Sequence, residues 1–242
     1  GAIGAEGRFM ADLLRESGAD TSQLREMDGP SGHAVIEINA AGQNRIIVFG
    51  GANRRETREY IERVLDTAQP DDWVLQNEVN LVPEIICRAH EKGLRVVFNP
   101  SPVPENTEKL PLARVSLLMV NEIEAAQLAG TDANADFEDT LTALRAKYPN
   151  ASVVMTVGAD GVLYDGEEGR FQLPAFKVKA VDTTAAGDTF CGYFLAAVSA
   201  GKSVQTALQE ASAASALAVS RTGAAPSVPT AGEVREFLRR HA

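Results

Sequence analysis

The sequence is short of the residues that usually announce a metal centre or a disulfide framework. It has two cysteines, Cys87 and Cys191, far apart and each inside an apolar segment. They read as free thiols in a reducing cytoplasm, not as a staple. The three histidines, His33, His90 and His241, are scattered, which excludes a clustered zinc site. Long hydrophobic runs are missing too: residues 115–120 form one of the longest, far below the ~20 that a membrane span needs. The chain opens at Gly1 on Gly-Ala-Ile-Gly, with neither the basic start nor the apolar stretch of a signal peptide, and reads like the tail of a strand. Positive charge is scarce, with 23 Lys and Arg against 33 Asp and Glu and a net charge of −10. Such a surface repels polyanions, so a nucleic-acid partner is disfavoured. Any phosphate must be held locally, by backbone N–H groups and metal ions. No repeat, low-complexity tract or linker interrupts the chain.

What is present is an ordinary globular balance, 45% hydrophobic and 23% charged over 242 residues. That permits one large domain or two small ones, and residues 1–242 are read as one. Helical periodicity places Phe9, Leu13 and Leu14 on one face, Tyr60, Ile61, Val64, Leu65 and Ala68 on a second, and Leu81, Ile85, Ile86 and Ala89 on a third. Short β-rich runs at 73–75, 94–98, 115–120 and 153–157 are apolar on both faces, as strands between two helical layers must be. The alternation predicts an α/β fold, a doubly wound, mostly parallel sheet flanked by helices. Residues 33–49 read as a β-hairpin turning at 40–43, and 161–173 as another turning at 166–169. Helices are expected at 188–200, 204–220 and 231–239.

Two glycine motifs fail on spacing. Gly1, Gly4 and Gly7 lack the G-x-G-x-x-G pattern and its acidic partner. Gly201-Lys202-Ser203 ends a helix where a phosphate loop would start one. The informative stretch is Val181-Asp182-Thr183-Thr184-Ala185-Ala186-Gly187-Asp188-Thr189-Phe190. It follows a β-like segment, 176–180, and opens a helix. Its small residues let backbone N–H groups converge where a helix has unsatisfied donors and a positive dipole end. A carboxylate beside such an anion site can take a proton from an attacking hydroxyl. An ordinary capped helix with an acidic first turn fits the decapeptide alone equally well.

The decapeptide resembles the second signature of the ribokinase/PfkB family of carbohydrate kinases. Collinear matches extend the likeness: Asn99-Pro100-Ser101-Pro102, Asn121-Glu122-Ile123-Glu124, Thr156-Val157-Gly158-Ala159-Asp160-Gly161, and residues 218–229. The resemblance implies an ATP-dependent sugar kinase that phosphorylates the primary hydroxyl of D-ribose. Deoxyribose, a keto-deoxy sugar acid, fructose or a nucleoside are the alternative substrates, and an inactive sugar- or nucleotide-binding homologue is a further reading.

Carried over by resemblance, Asp188 is the catalytic base, in contact with the sugar hydroxyl. Ala185, Ala186 and Gly187 form the anion hole for the transferring phosphoryl group. Asn121, Thr156, Val157, Gly158, Ala159, Asp160, Gly161, Gly187 and Ser212 face ATP. Asn121 and Glu124 organise the Mg²⁺–phosphate region, although the same pair could cap a helix. Asp182, Thr184, Ala218, Arg221, Gly223 and Ser227 form a K⁺ site, where a turn closed by Asp182 is the simpler reading. Glu78 contacts the sugar. Hairpin 33–49 is a lid that also joins two chains in a homodimer. No membrane or nucleic acid is implied, and the protein is expected in the cytoplasm. Family members begin roughly sixty residues earlier, with a sugar-binding Asp, further lid strands and a Gly-Gly-x-Gly-x-Asn motif that have no counterpart here, so the chain reads as a large N-terminally truncated share of one core.

Overall fold

In the computed structural model the short apolar runs become strands and the helical periodicities become helices, over residues 1–38, 44–69, 73–74, 76–104 and 106–241. The chain forms two compact units. One comprises Gly1–Val96 with Glu108–Pro111, the other Val97–Thr107 with Leu112–Ala242.

In the first unit β1 (Ala2–Ile3) pairs in parallel with β2 (Arg25–Glu26) across α1 (Arg8–Glu16). The expected apolar face of α1 exists but does not face a core: Phe9 is 68% exposed and Leu13 and Leu14 about half exposed, and Ala11 is the buried position. The predicted hairpin is β3 (His33–Ile38) against β4 (Asn44–Phe49), antiparallel from His33↔Phe49 to Ile38↔Asn44. Its turn, 40–43, lies outside the described residues. Helix α2 (Arg58–Thr67) buries Tyr60, Ile61 and Leu65, as its periodicity requires. A hydrogen bond from Tyr60 N to the Thr57 hydroxyl caps it. Next come β5 (Trp73–Val74), α3 (Val82–Glu91) and β6 (Arg95–Phe98), with Trp73↔Arg95 and Val74↔Val96 paired in parallel. Helix α3 buries Val82, Ile86 and Ala89; Leu81 precedes it as the N-cap residue.

The second unit carries a mixed sheet. Its strands are the end of β6, β7 (Leu117–Asn121), β8 (Ser152–Thr156), β9 (Val162–Gly166) and β10 (Gly169–Leu173), in the order β10-β9-β8-β7-β6. The β6–β7 and β7–β8 pairs are parallel, and β8–β9–β10 antiparallel, because tight turns join them. Strand β7 is buried along Leu117, Leu118, Met119 and Val120, as its continuous apolar run demands. Helices α4 (Glu122–Ala129) and α5 (Phe137–Lys147) follow β7, and α6 (Ala186–Ser199), α7 (Val204–Val219) and α8 (Ala231–His241) follow β10. Residues 176–180, expected to be β-like, are outside any strand. Leu118, Met155, Phe194 and Leu208 are among the largest fully buried side chains of this unit.

Candidate active site

The strand register brings the first site residues together. Asn121 and Thr156 end the neighbouring parallel strands β7 and β8 and are direct partners across the ladder. The crevice outside the carboxyl ends of parallel strands is where open α/β sheets bind ligands. Asn121 is the N-cap of α4. Its side-chain oxygen accepts from Glu124 N at 2.8 Å, and Glu124 Oε2 accepts from Asn121 N at 3.0 Å. The capping box is therefore real.

After β8 the chain makes a short turn at Gly158–Asp160 and returns as β9. Gly161 sits at φ +112°, and a Cβ there would lie 2.0 Å from the Leu173 carbonyl oxygen, so no other residue fits. Val157 N bonds to Gly161 O at 2.9 Å and closes the loop.

The decapeptide forms the other wall. Ala185, at φ +58°, is the left-handed N-cap of α6, a conformation that costs an Ala free energy and is held by its surroundings. No side chain caps this helix; Ala186 N donates to the Thr183 carbonyl at 3.3 Å, and the next N–H of the first turn is that of Gly187. Gly187 and Asp188 are exposed, whereas Thr189 is buried and its hydroxyl has no protein partner. Burial pushes the Cys191 thiol up to about 11; the Asn99 amide, donating to its sulfur at 3.5 Å, opposes the shift, and the charges of Asp188 and Glu124 add to it.

A cavity of about 400 Å³ joins the two walls. Thr156, Gly158, Ala159, Gly161, Ala186, Gly187 and Ser212 line it, all expected at the site. Asn121, Val157, Asp160, Ala185 and Asp188 do not line it; Val157 is buried beneath. Reading the sequence missed Phe176, Val178 and Ser215 on the lining. For Ser215 a signal existed, since it lies one turn after Ser212 on the same face of α7.

Half-buried Asp182 bonds into two loops at once. Its carboxylate is held at about 2, well below the usual range, by the Thr184 hydroxyl first and then by the N–H groups of Gly223 and Thr184. The backbone bonds are 2.9 Å each. The turn-closing reading is thus realised. Arg221 N bonds to the Ala218 carbonyl, and the Arg221 guanidinium pairs with Glu233, leaving Arg221 only its backbone to offer. Fully buried Ser227 donates to Ala224 O at 2.7 Å. This donor set is all oxygen, and a carboxylate has about four lone-pair sites against the three bonds it accepts here, so it suits a hard monovalent cation. No cluster of three or more His, Cys, Asp or Glu that could cage a metal occurs among the described residues. A lone Glu124 suits Mg²⁺ carried mainly by phosphates and water. Exposed Glu78 belongs to the first unit. No helix among the described residues is long and apolar enough to cross a membrane.

Comparison with known proteins gives the same picture along the chain. A family model described as pfkB family carbohydrate kinase matches residues 1–231. A ribokinase of Haemophilus influenzae is 32% identical over 241 residues, which cover 96% of this chain and 77% of the relative. A crystal structure of ribokinase from Thermotoga maritima superposes with a TM-score of 0.84 at 32% identity, over 98% of this chain and 80% of that one. A structure of Arabidopsis thaliana ribokinase complexed with ribose and ATP gives 0.83 at 27% identity, over 99% and 80%.

Proposed function

Because this chain belongs to the pfkB family of carbohydrate kinases, we propose that it transfers the γ-phosphoryl group of ATP to the primary hydroxyl of D-ribose. The observation that carries this reading is the cavity shared by the Gly158–Gly161 loop and the uncapped start of α6. A nucleotide lying along it has its phosphates at a helix N-terminus, beside a carboxylate.

In this reading Asp188 accepts the proton as the O–H bond breaks and the ribose oxygen bonds to the γ-phosphorus. The bond from that phosphorus to the β–γ bridging oxygen breaks, and ADP leaves. The N–H groups at Ala185–Gly187 stabilise the charge spread over the transferring oxygens. Thr156, Gly158, Ala159, Gly161 and Ser212 hold the nucleotide, and Asn121 orients it from the end of β7. Mg²⁺, when bound, neutralises phosphate charge that a protein of net charge −10 would otherwise repel. Glu124 would hold it through water. Asp182 and the carbonyls around Ala218, Arg221, Gly223 and Ser227 would hold K⁺ and stiffen the loop before Ala185. Val35, Ile47, Val48 and Phe49, about half exposed or more on β3 and β4, are the surface assigned to a homodimer in the cytoplasm.

A coupled assay of ADP release over D-ribose, deoxyribose, fructose and a nucleoside tests the reading. Ribose should give the highest kcat/KM and K⁺ should raise it. The absence of sugar-stimulated ADP release sinks the kinase reading, and equal rates in K⁺ and a bulky organic cation remove the K⁺ site.

A further inference from the structure

The hydroxyl of Ser215, in the middle of α7, donates to the carbonyl oxygen of Ala186 at 3.1 Å across 29 residues of sequence. Ala186 is the first residue of α6. Its carbonyl already serves as a helical acceptor, so Ser215 adds a second bond from outside the helix. A peptide unit is planar and trans, so the Ala186 carbonyl and the Gly187 N–H point in opposite directions from one rigid plane. Holding the oxygen on one side fixes the aim of the N–H on the other. No side chain caps the helix at this end, and the space beside Gly187 is open, so no side chain packs there to hold its peptide. Gly187, Ser212 and Ser215 all line the same cavity.

From this geometry we propose that Ser215 is a positioning residue for phosphoryl transfer, acting through the Ala186–Gly187 peptide to aim the Gly187 N–H at the transferring group. The proposal rests on the kinase reading above. It concerns the transition state, since a preset donor matters most where charge develops. Ser215 does not itself touch the reacting atoms.

The test compares wild type with Ser215→Ala and Ser215→Thr. Losing one neutral hydrogen bond should lower kcat about five-fold, with KM for sugar and ATP within about two-fold of wild type. Ser215→Thr, which keeps the hydroxyl, should restore most of kcat. In parallel, ADP is titrated with and without aluminium fluoride, a mimic of the transferring phosphoryl group. Ser215→Ala should leave ADP affinity unchanged and weaken the fluoride-dependent tightening by the factor lost from kcat. An unchanged kcat overturns the proposal. So does a loss confined to the ATP KM, or a loss that follows the melting temperature in both variants. If wild type shows no sugar-stimulated turnover, the kinase reading fails while the titration still reports on Ser215. If aluminium fluoride does not tighten ADP binding to wild type, the role of the Gly187 N–H is refuted, and that of Ser215 with it.

Discussion

The carboxylate of Asp182 accepts the Gly223 N–H at 2.9 Å, tying the loop before α6 to the loop after α7 across 41 residues. The bond is strongest with the carboxylate ionised, so it weakens in acid. The hydrogen bonds hold the folded carboxyl at about 2, below its ordinary 3.8, so the stabilisation is complete above about 4. It is lost as the pH falls from there towards 2. Melting temperatures of wild type and Asp182→Asn, compared between pH 7 and pH 2, should differ most above pH 4 and converge below it. A constant gap would mean that the carboxylate charge is not what ties the loops.

Asp188→Asn should lower kcat by about a thousand-fold, the scale of a lost general base, with ADP affinity nearly unchanged. Single-turnover rates and ADP titration separate the two effects. Loss of ADP binding would assign Asp188 to nucleotide binding instead.

Asn121→Ala removes one half of the capping box at α4 and should cost about 1 kcal/mol. Glu124→Gln keeps an acceptor for Asn121 N and should be nearly neutral for stability. If Glu124→Gln also raises the Mg²⁺ concentration needed for half-maximal rate, the residue serves both cap and metal. An unchanged Mg²⁺ requirement leaves it a cap.

The Cys191 thiol, pushed up to about 11, should remain protonated at pH 8 and fail to react with a disulfide reagent in the folded protein. Unfolding should release both thiols, Cys87 and Cys191. Rapid modification of Cys191 in the native state would show that the start of α6 opens readily.

The parts of the site legible in the sequence were those with a steric or capping signature. Ala185-Ala186-Gly187-Asp188 announced a helix start because only small residues let the backbone approach an anion. Asn121 and Glu124 announced a cap by their spacing. Gly161 reads as a loop residue, and the structure adds that the Leu173 carbonyl leaves no room for a side chain. Ser215 was legible only through its spacing from Ser212, one turn earlier on α7; its bond to the Ala186 carbonyl, 29 residues away, has no local signal. Residues 176–180 have the composition of a strand, yet β-propensity describes a fit to neighbouring strands, and this segment has none. The apolar stripe Phe9, Leu13 and Leu14 gave the right helix and the wrong environment, since periodicity reports a face and not what covers it.

The outermost strand of the mixed sheet, β10, has a bearing on how the protein behaves in concentrated solution. A strand with one unpaired side invites another chain to extend the sheet. Along β10, Gly169, Arg170 and Gln172 are exposed. Arg170 is held in place by the Thr142 hydroxyl and the Glu138 carbonyl at 3.0 and 3.1 Å, and by the carboxylates of Glu138 and Asp165. A second sheet docking on this side would have to strip a guanidinium from its partners and from water. Arg170 thus works against extension of the sheet at this edge, from a position outside the cavity.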